Sequence, residues 1–277
     1  MTSVTNCGEV NDCSWQSALR SDFPLLQNVI YLQTGSHAPL ANTVKRAMVR
    51  ALEVEGTTGV TGKWGTRALH AEAERVRERF ALFLGVSSRL LGWTQNTTTA
   101  IRYAISSLSW RSGDAILWSS AEHASSRHLH LALEQRRGLR NIILPVEQGN
   151  EYFLHLLELM LQRESQVRLL FLSHVSCLDG RRLPVVEATR LAHAYQVPVL
   201  VDGAQAAGQF PLNVTDLGCD FYAGSAHKWL LGPAGLGFLV VAPQQLAAFY
   251  PDFVMAPLGS DEGHIGWHDP DTVAGRL

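Results

Sequence analysis

Cysteine is scarce. Cys7, Cys13, Cys177 and Cys219 are scattered over a chain of 277 residues, and no two form a Cys-x-x-Cys pair. That spacing excludes a zinc-ribbon site and a disulfide framework and predicts a reducing, cytoplasmic setting. An excess of charge of one sign is lacking too: the formal net charge is -2 and no block of like charges occurs. Nucleic acid and anionic membrane surfaces are therefore poor partners, and a small molecule is the better one. Long hydrophobic runs are absent. The longest, such as GFLVV and VPVLV, are strand-length, and the opening MTSVTNCGEVNDCSWQSALR has no basic start followed by an apolar stretch. Neither a signal peptide nor a membrane span is expected. No repeat, low-complexity tract or Pro/Gly/Ser linker divides the chain. Residues 29–255 are read as one unit, after an N-terminal segment, 1–28, and before a C-terminal region, 256–277.

What is present is an alternation. Apolar runs RLLGWT, DAILWSS, NIILPV, VRLLFLSHV, VPVLVDGA and LGFLVV have strand length, and helical patterns such as RALHAEAERVRERFALFLG, EYFLHLLELMLQRE and PVVEATRLAHAYQ lie between most of them. Strands alternating with helices imply right-handed crossovers and a mostly parallel sheet covered on both faces, an α/β fold. In the first of these helices Leu69, Val76, Phe80 and Phe83 form the expected apolar stripe, and Gly85 is placed to cap the C-terminus. Ligands of such sheets collect at the carboxyl ends of the strands, so the residues just after each apolar run hold the candidates.

After RLLGW comes a hydroxyl-rich turn, Thr94-Gln95-Asn96-Thr97-Thr98-Thr99, opening a helical pattern. It reads either as plain N-capping or as an anion site made by free backbone N–H groups and hydroxyls. His123 and His174 stand at equivalent places after two other strands, as satisfied buried rings or as working ones. The spacing of His123, His128 and His130 matches no common metal pattern, and no metal is expected. Asp202 ends VPVLV, where it either caps the next turn or faces a ligand with a protonated nitrogen; burial raises a carboxyl's pKa unless a positive partner offsets it. Lys228, in GSAHKWLLGPAGLG, sits behind small residues and ahead of apolar ones, a pocket setting rather than a surface one. An amine, an acid, an anion cradle and a flat ring are what pyridoxal phosphate requires of a protein.

At this point the sequence resembles the class V aminotransferase family of pyridoxal phosphate enzymes, the family of cysteine desulfurases and selenocysteine lyases. The motifs VDGAQAAG, GSAHKWLLGPAGLG, SHVSC, AEH and QNTTTA carry the resemblance, which runs from about Tyr31 to about Gly259. It implies a fold type I large domain with a mostly parallel seven-stranded sheet, one antiparallel strand and helices on both faces, and usually a homodimer. It assigns Lys228 to the Schiff base, Asp202 to the pyridine nitrogen, Gln205 to the phenolic oxygen and His123 to the ring face. Thr97, Thr98, Ser225 and His227 would hold the phosphate, and His174, Cys177 and His37 would lie near the substrate.

Two departures bear on the reaction. Cys177 stands where many desulfurases carry asparagine, and it is expected to be a buried structural thiol. The family normally continues into a C-terminal small domain, carrying an arginine for the substrate carboxylate and, in desulfurases, a sulfur-accepting cysteine. This sequence is expected to be shortened there. The reading is an enzyme acting on an amino acid through a Schiff base, of cysteine desulfurase or cysteine/cystine carbon-sulfur lyase type. SHVSCLDGRRLPV and EGTTGVTGKWGTR favour that branch. The alternatives are transamination or epimerisation of another amino acid, or cofactor binding without turnover. A dinucleotide site at GPAGLG is disfavoured because its glycines lead into a strand-like run rather than opening a helix.

Overall fold

A computed structural model describes residues 13–59, 63–249, 272–274 and 277. Cys7, part of the EGTTGVTGKWGTR segment and most of the region from 256 onward lie outside the described residues, and the side chain of Leu69 does too.

Among the described residues, seven strands form one sheet: β1 (Leu91–Thr94), β2 (Ala115–Ser119), β3 (Arg140–Leu144), β4 (Val167–Ser173), β5 (Val199–Asp202), β6 (Phe221–Ser225) and β7 (Gly237–Val241). Their spatial order is β1-β7-β6-β5-β4-β2-β3. Only β7 runs against its neighbours, pairing antiparallel with both β1 and β6. The helices are α1 (Cys13–Ser21), α2 (Asn42–Thr58), α3 (Lys63–Leu84), α4 (Thr97–Ser106), α5 (Ala124–Arg137), α6 (Asn150–Arg163) and α7 (Val185–Ala194), with one-turn helices at Val214–Leu217 and Pro243–Leu246. The expected mostly parallel sheet with one antiparallel strand is what the chain forms. β6 is the strand that hydrophobic runs do not reveal. FYAGS ends in three small residues, yet all five of its residues are buried.

Period-2 alternation divides the core between the two faces of the sheet. Ala115 and Leu117 of β2, with Leu170 and Leu172 of β4, join Ala81, Leu84, Phe153, Leu157 and Ala188 on the face covered by α3, α6 and α7. Ile116, Trp118, Leu169 and Phe171 point the other way, to Ala100, Ile101, Ala104 and Leu133 of α4 and α5. Every strand of β2 type is thus apolar on both sides, as a doubly covered sheet requires. Val273, near the C-terminus, is buried in the second cluster, and its N–H donates to the Arg89 carbonyl.

Of the stripe expected on α3, Phe80 packs against the core, edge-on to Phe238, but Val76 and Phe83 do not. Val76 and Phe83 are exposed, and among the described side chains of the helix the buried ones are Arg77, Ala81 and Leu84, at helical spacing. Arg77 occupies the inner face because its guanidinium donates to the carbonyls of Ser88 and Leu91 while pairing with Glu74. Its aliphatic stem replaces an apolar side chain. Val76, Phe80 and Phe83 instead line a shallow apolar hollow with Trp93, Trp229 and Phe238. Gly85 caps the helix as expected: its φ is +71°, and the N–H of Val86 returns to the Ala81 carbonyl.

Candidate active site

The carboxyl ends of β4, β5 and β6, with the N-termini of α4 and α5, surround a cavity of about 870 Å³. Thr97, Thr98, His123, Cys177, Asp202, Gln205, Ser225, His227 and Lys228 all line it.

The hydroxyl side is built where α4 begins. Asn96 caps that helix by accepting from the N–H of Thr99, 2.9 Å away. Thr97 is tied to Ser225 twice, through its N–H at 2.9 Å and hydroxyl to hydroxyl. The contact brings residues 128 apart together because Gly237, opening β7, lets Asn96 come close. A Cβ built there would lie 2.6 Å from the Asn96 Cα. Thr98 reaches Ser125 at 3.2 Å, and Ser125 also lines the cavity. A helix N-terminus with four converging hydroxyls is an anion site by composition and geometry. His227 adds an enclosed Nδ1 without a hydrogen-bond partner among the described residues, and burial lowers its pKa, leaving a neutral ring. An enclosed polar atom without a partner on a cavity wall fits a ligand group.

The acid side is Asp202, the last residue of β5, almost fully buried. Its Oδ1 accepts from the Ala204 N–H at 2.9 Å. Desolvation pushes its pKa up, opposed by that N–H and by Lys228 and His123. A cation bound in the cavity would reverse the shift. The side chain of Lys228 makes no ion pair or hydrogen bond with the described residues, and its turn is shaped closely. Leu231 takes a left-handed conformation at φ 57°, costing about 1–2 kcal/mol, and its N–H returns to the Lys228 carbonyl. Gly208 passes so near that a Cβ would lie 2.6 Å from the Trp229 carbonyl oxygen.

Gln205 spends its amide on the frame, donating to the Gly35 carbonyl at 2.8 Å and accepting from the Trp229 indole at 2.7 Å. One N–H remains for a ligand. His123 caps α5, its Nδ1 accepting from the Ser125 N–H at 3.1 Å. Cys177 differs from expectation: its thiol is exposed on the cavity wall, because the loop after β4 turns outward there. Surrounding protein still raises its pKa, so it stays protonated at neutral pH.

Two expected substrate neighbours lie off the wall. His174 is buried beneath it, with Nδ1 3.2 Å from the Tyr222 hydroxyl and its ring edge-on to Phe210. Desolvation lowers its pKa to about 4. His37 is stacked on His227, ring centroids 5.2 Å apart, and supports that ring from outside the cavity. Sequence reasoning missed Ser125 and Arg182. Ser125 was legible as the second residue after AEH. Arg182 was not, since nothing in SCLDGRRLP shows that it pairs with Val175 in an isolated bridge and so reaches the wall. Its guanidinium lies 4.3 Å from the centre of the Phe210 ring and forms no ion pair among the described residues.

Among the described residues, no group of three or more His, Cys, Asp or Glu side chains comes together to hold a metal ion, and no helix is long and apolar enough to cross a membrane. An acid, a lysine and a hydroxyl-lined helix end around one cavity suit a ligand with a cationic nitrogen, a carbonyl and an anionic group.

The chain is similar to several known proteins. Isopenicillin N epimerase of Streptomyces clavuligerus is 32% identical over 258 residues, covering 90% of this chain and 62% of the relative. A probable cysteine desulfurase of Methanothermobacter thermautotrophicus is 32% identical over 222 residues, covering 80% of this chain and 55% of its own. This chain thus spans less than two thirds of either relative. Among solved structures, the cystine C-S lyase C-DES in complex with its reaction product, cysteine persulfide, superposes with a TM-score of 0.80 at 27% identity over 90% of this chain and 67% of that one. The model of the aminotransferase class-V family matches residues 30–255, and the chain belongs to that family.

Proposed function

We propose that this chain binds pyridoxal phosphate and acts on the amino group of an amino acid, with a sulfur amino acid, cysteine or cystine, as the substrate class. The observation that carries the reading is the convergence of Asp202, Lys228 and the Thr97–Ser225 hydroxyl pair on one cavity. When bound, the cofactor supplies an aldehyde that bonds amines and a ring that takes up electrons from a substrate carbon. Lys228 would supply the amine that holds the cofactor, and the same amine could accept or give a proton at the substrate carbon. Asp202 would hold the ring nitrogen with its carboxylate. Thr97, Thr98, Ser125, Ser225 and His227 would hold the phosphate, and His123 and Gln205 would hold the ring. Arg182, steadied on Phe210, offers a planar fork to the substrate carboxylate.

Relatives named cysteine desulfurase and a neighbour named cystine C-S lyase support the sulfur amino acid. Epimerisation is the second reading, favoured by the epimerase relative that matches 90% of this chain. The unpaired thiols Cys177 and Cys219 support a reducing compartment. A homodimer is supported by α2, which buries none of its residues and leaves Met48, Val49 and Leu52 exposed. The test of substrate class is to load the chain with cofactor and follow sulfide with alanine or pyruvate from cysteine and cystine. Proton exchange at Cα without sulfide release would favour the second reading.

A further inference from the structure

We propose that Glu122 is a positioning residue of this site: as a neutral carboxylic acid it ties the end of β2 to the end of β4, so that Asp202 remains the one buried negative charge at the cavity among the described residues. The role in cofactor binding rests on the reading above, and the bridge itself does not.

Glu122 is 1% exposed, immediately before His123. One carboxyl oxygen accepts from the Ser173 N–H at 2.8 Å and from the Ser119 hydroxyl. The other lies 2.7 Å from the Ser173 hydroxyl. Ser119 closes β2 and Ser173 closes β4, so one side chain joins two strand ends on which the cavity is built. Ser173 is also the register partner of Asp202, and the next residue, His174, donates its N–H to the Asp202 carbonyl at 2.8 Å. The bridge therefore reaches His123 through the chain and Asp202 through the sheet.

No lysine, arginine or histidine pairs with Glu122 among the described residues. An ionised carboxylate enclosed with hydroxyls and an amide but no cation is costly; a protonated one, which would donate to the Ser173 hydroxyl in place of the bond that hydroxyl gives a carboxylate, is less so. The titratable groups facing it are Asp202 from the end of β5 and Cys177 from the loop after β4. Lys228 and His123 act on Asp202. Of two buried carboxyls that repel one another, the one nearer the Lys228 amine keeps the charge, and the other keeps the proton. Burial raises the Glu122 pKa to about 8, opposed by the bonds from Ser119 and Ser173 and reinforced by the Asp202 charge. A carboxyl raised in the fold adds stability at low pH that is lost as pH rises through its folded pKa.

The test uses Glu122→Gln, the neutral isostere, and Ser119→Ala, which cuts the bridge at β2. Thermal midpoints without cofactor are measured across the window from the ordinary glutamate pKa to about 8, and pyridoxal phosphate affinity is measured by titration. Glu122→Gln should fold, bind cofactor within about twofold of the parent, and lose the part of the parent's midpoint that declines with rising pH. Ser119→Ala should weaken cofactor binding about fivefold, the loss of one hydrogen bond. A Gln variant that fails to fold, that keeps the parent's pH slope, or that loses cofactor affinity tenfold would overturn the proposal. Unchanged affinity in Ser119→Ala would overturn the positioning role. If the parent binds no cofactor at all, the cofactor reading and the positioning role fall, while the pH slope still decides where the proton resides.

Discussion

The N–H of Thr97 donates to the hydroxyl of Ser225, 2.9 Å away, joining the first turn of α4 to the last residue of β6. This contact assembles the anion side of the cavity from two motifs, QNTTTA and GSAHK, that lie far apart in the chain. Ser225→Ala leaves the Thr97 N–H without its partner and removes one phosphate hydroxyl. Cofactor affinity, measured by titration, should fall about tenfold, and stability in urea by about 1–3 kcal/mol.

Asp202→Ala should damage turnover more than cofactor retention. Lys228 and the hydroxyl cradle remain, but the ring nitrogen loses the charge that keeps it protonated. Turnover should drop about 100-fold or more while cofactor affinity changes less than tenfold. A variant with full turnover of any substrate of the parent would contradict the role.

Arg182→Gln should remove discrimination by carboxylate. Cysteine and cysteamine share the amine and the thiol, and only cysteine has the carboxylate. The parent should bind cysteine at least about tenfold more tightly, as a charge-assisted fork predicts, and the variant should bind both alike. Preference retained in the variant would place the carboxylate elsewhere.

Acid should unfold the chain in part through His174. Its pKa in the fold, about 4, lies below the ordinary histidine value, so its neutral form is favoured. Its contribution is full above about pH 6.5 and is lost as pH falls toward 4, by roughly 3 kcal/mol. His174→Gln, which keeps a partner for the Tyr222 hydroxyl, should flatten the urea midpoint across that window; an unchanged slope would assign acid sensitivity to other groups.

The sheet was legible where strands are long and apolar on both sides, as in VRLLFLS, and hidden where small residues suit a crowded site, as in FYAGS. Gly224 shows why. A Cβ there would lie 2.3 Å from the Phe238 ring, so the packing demands a residue that weakens the strand signal. On α3 the pattern was visible but its direction was not, because no apolar periodicity reveals that Arg77 satisfies two carbonyls from inside. Asp202, Lys228 and the threonines could be read from motifs, since each follows or precedes a strand end directly. Arg182 and Glu122 act through partners at long range: Phe210 and Ser173 lie 28 and 51 residues away, a proximity only the folded sheet creates.

The most direct test of the account is the attachment of the cofactor. The purified chain is mixed with pyridoxal phosphate, reduced with borohydride, digested and mapped. The account predicts one labelled peptide carrying the label on Lys228, absent in Lys228→Ala. Label on Lys45, or an unchanged yield of label in the Lys228→Ala chain, would contradict it.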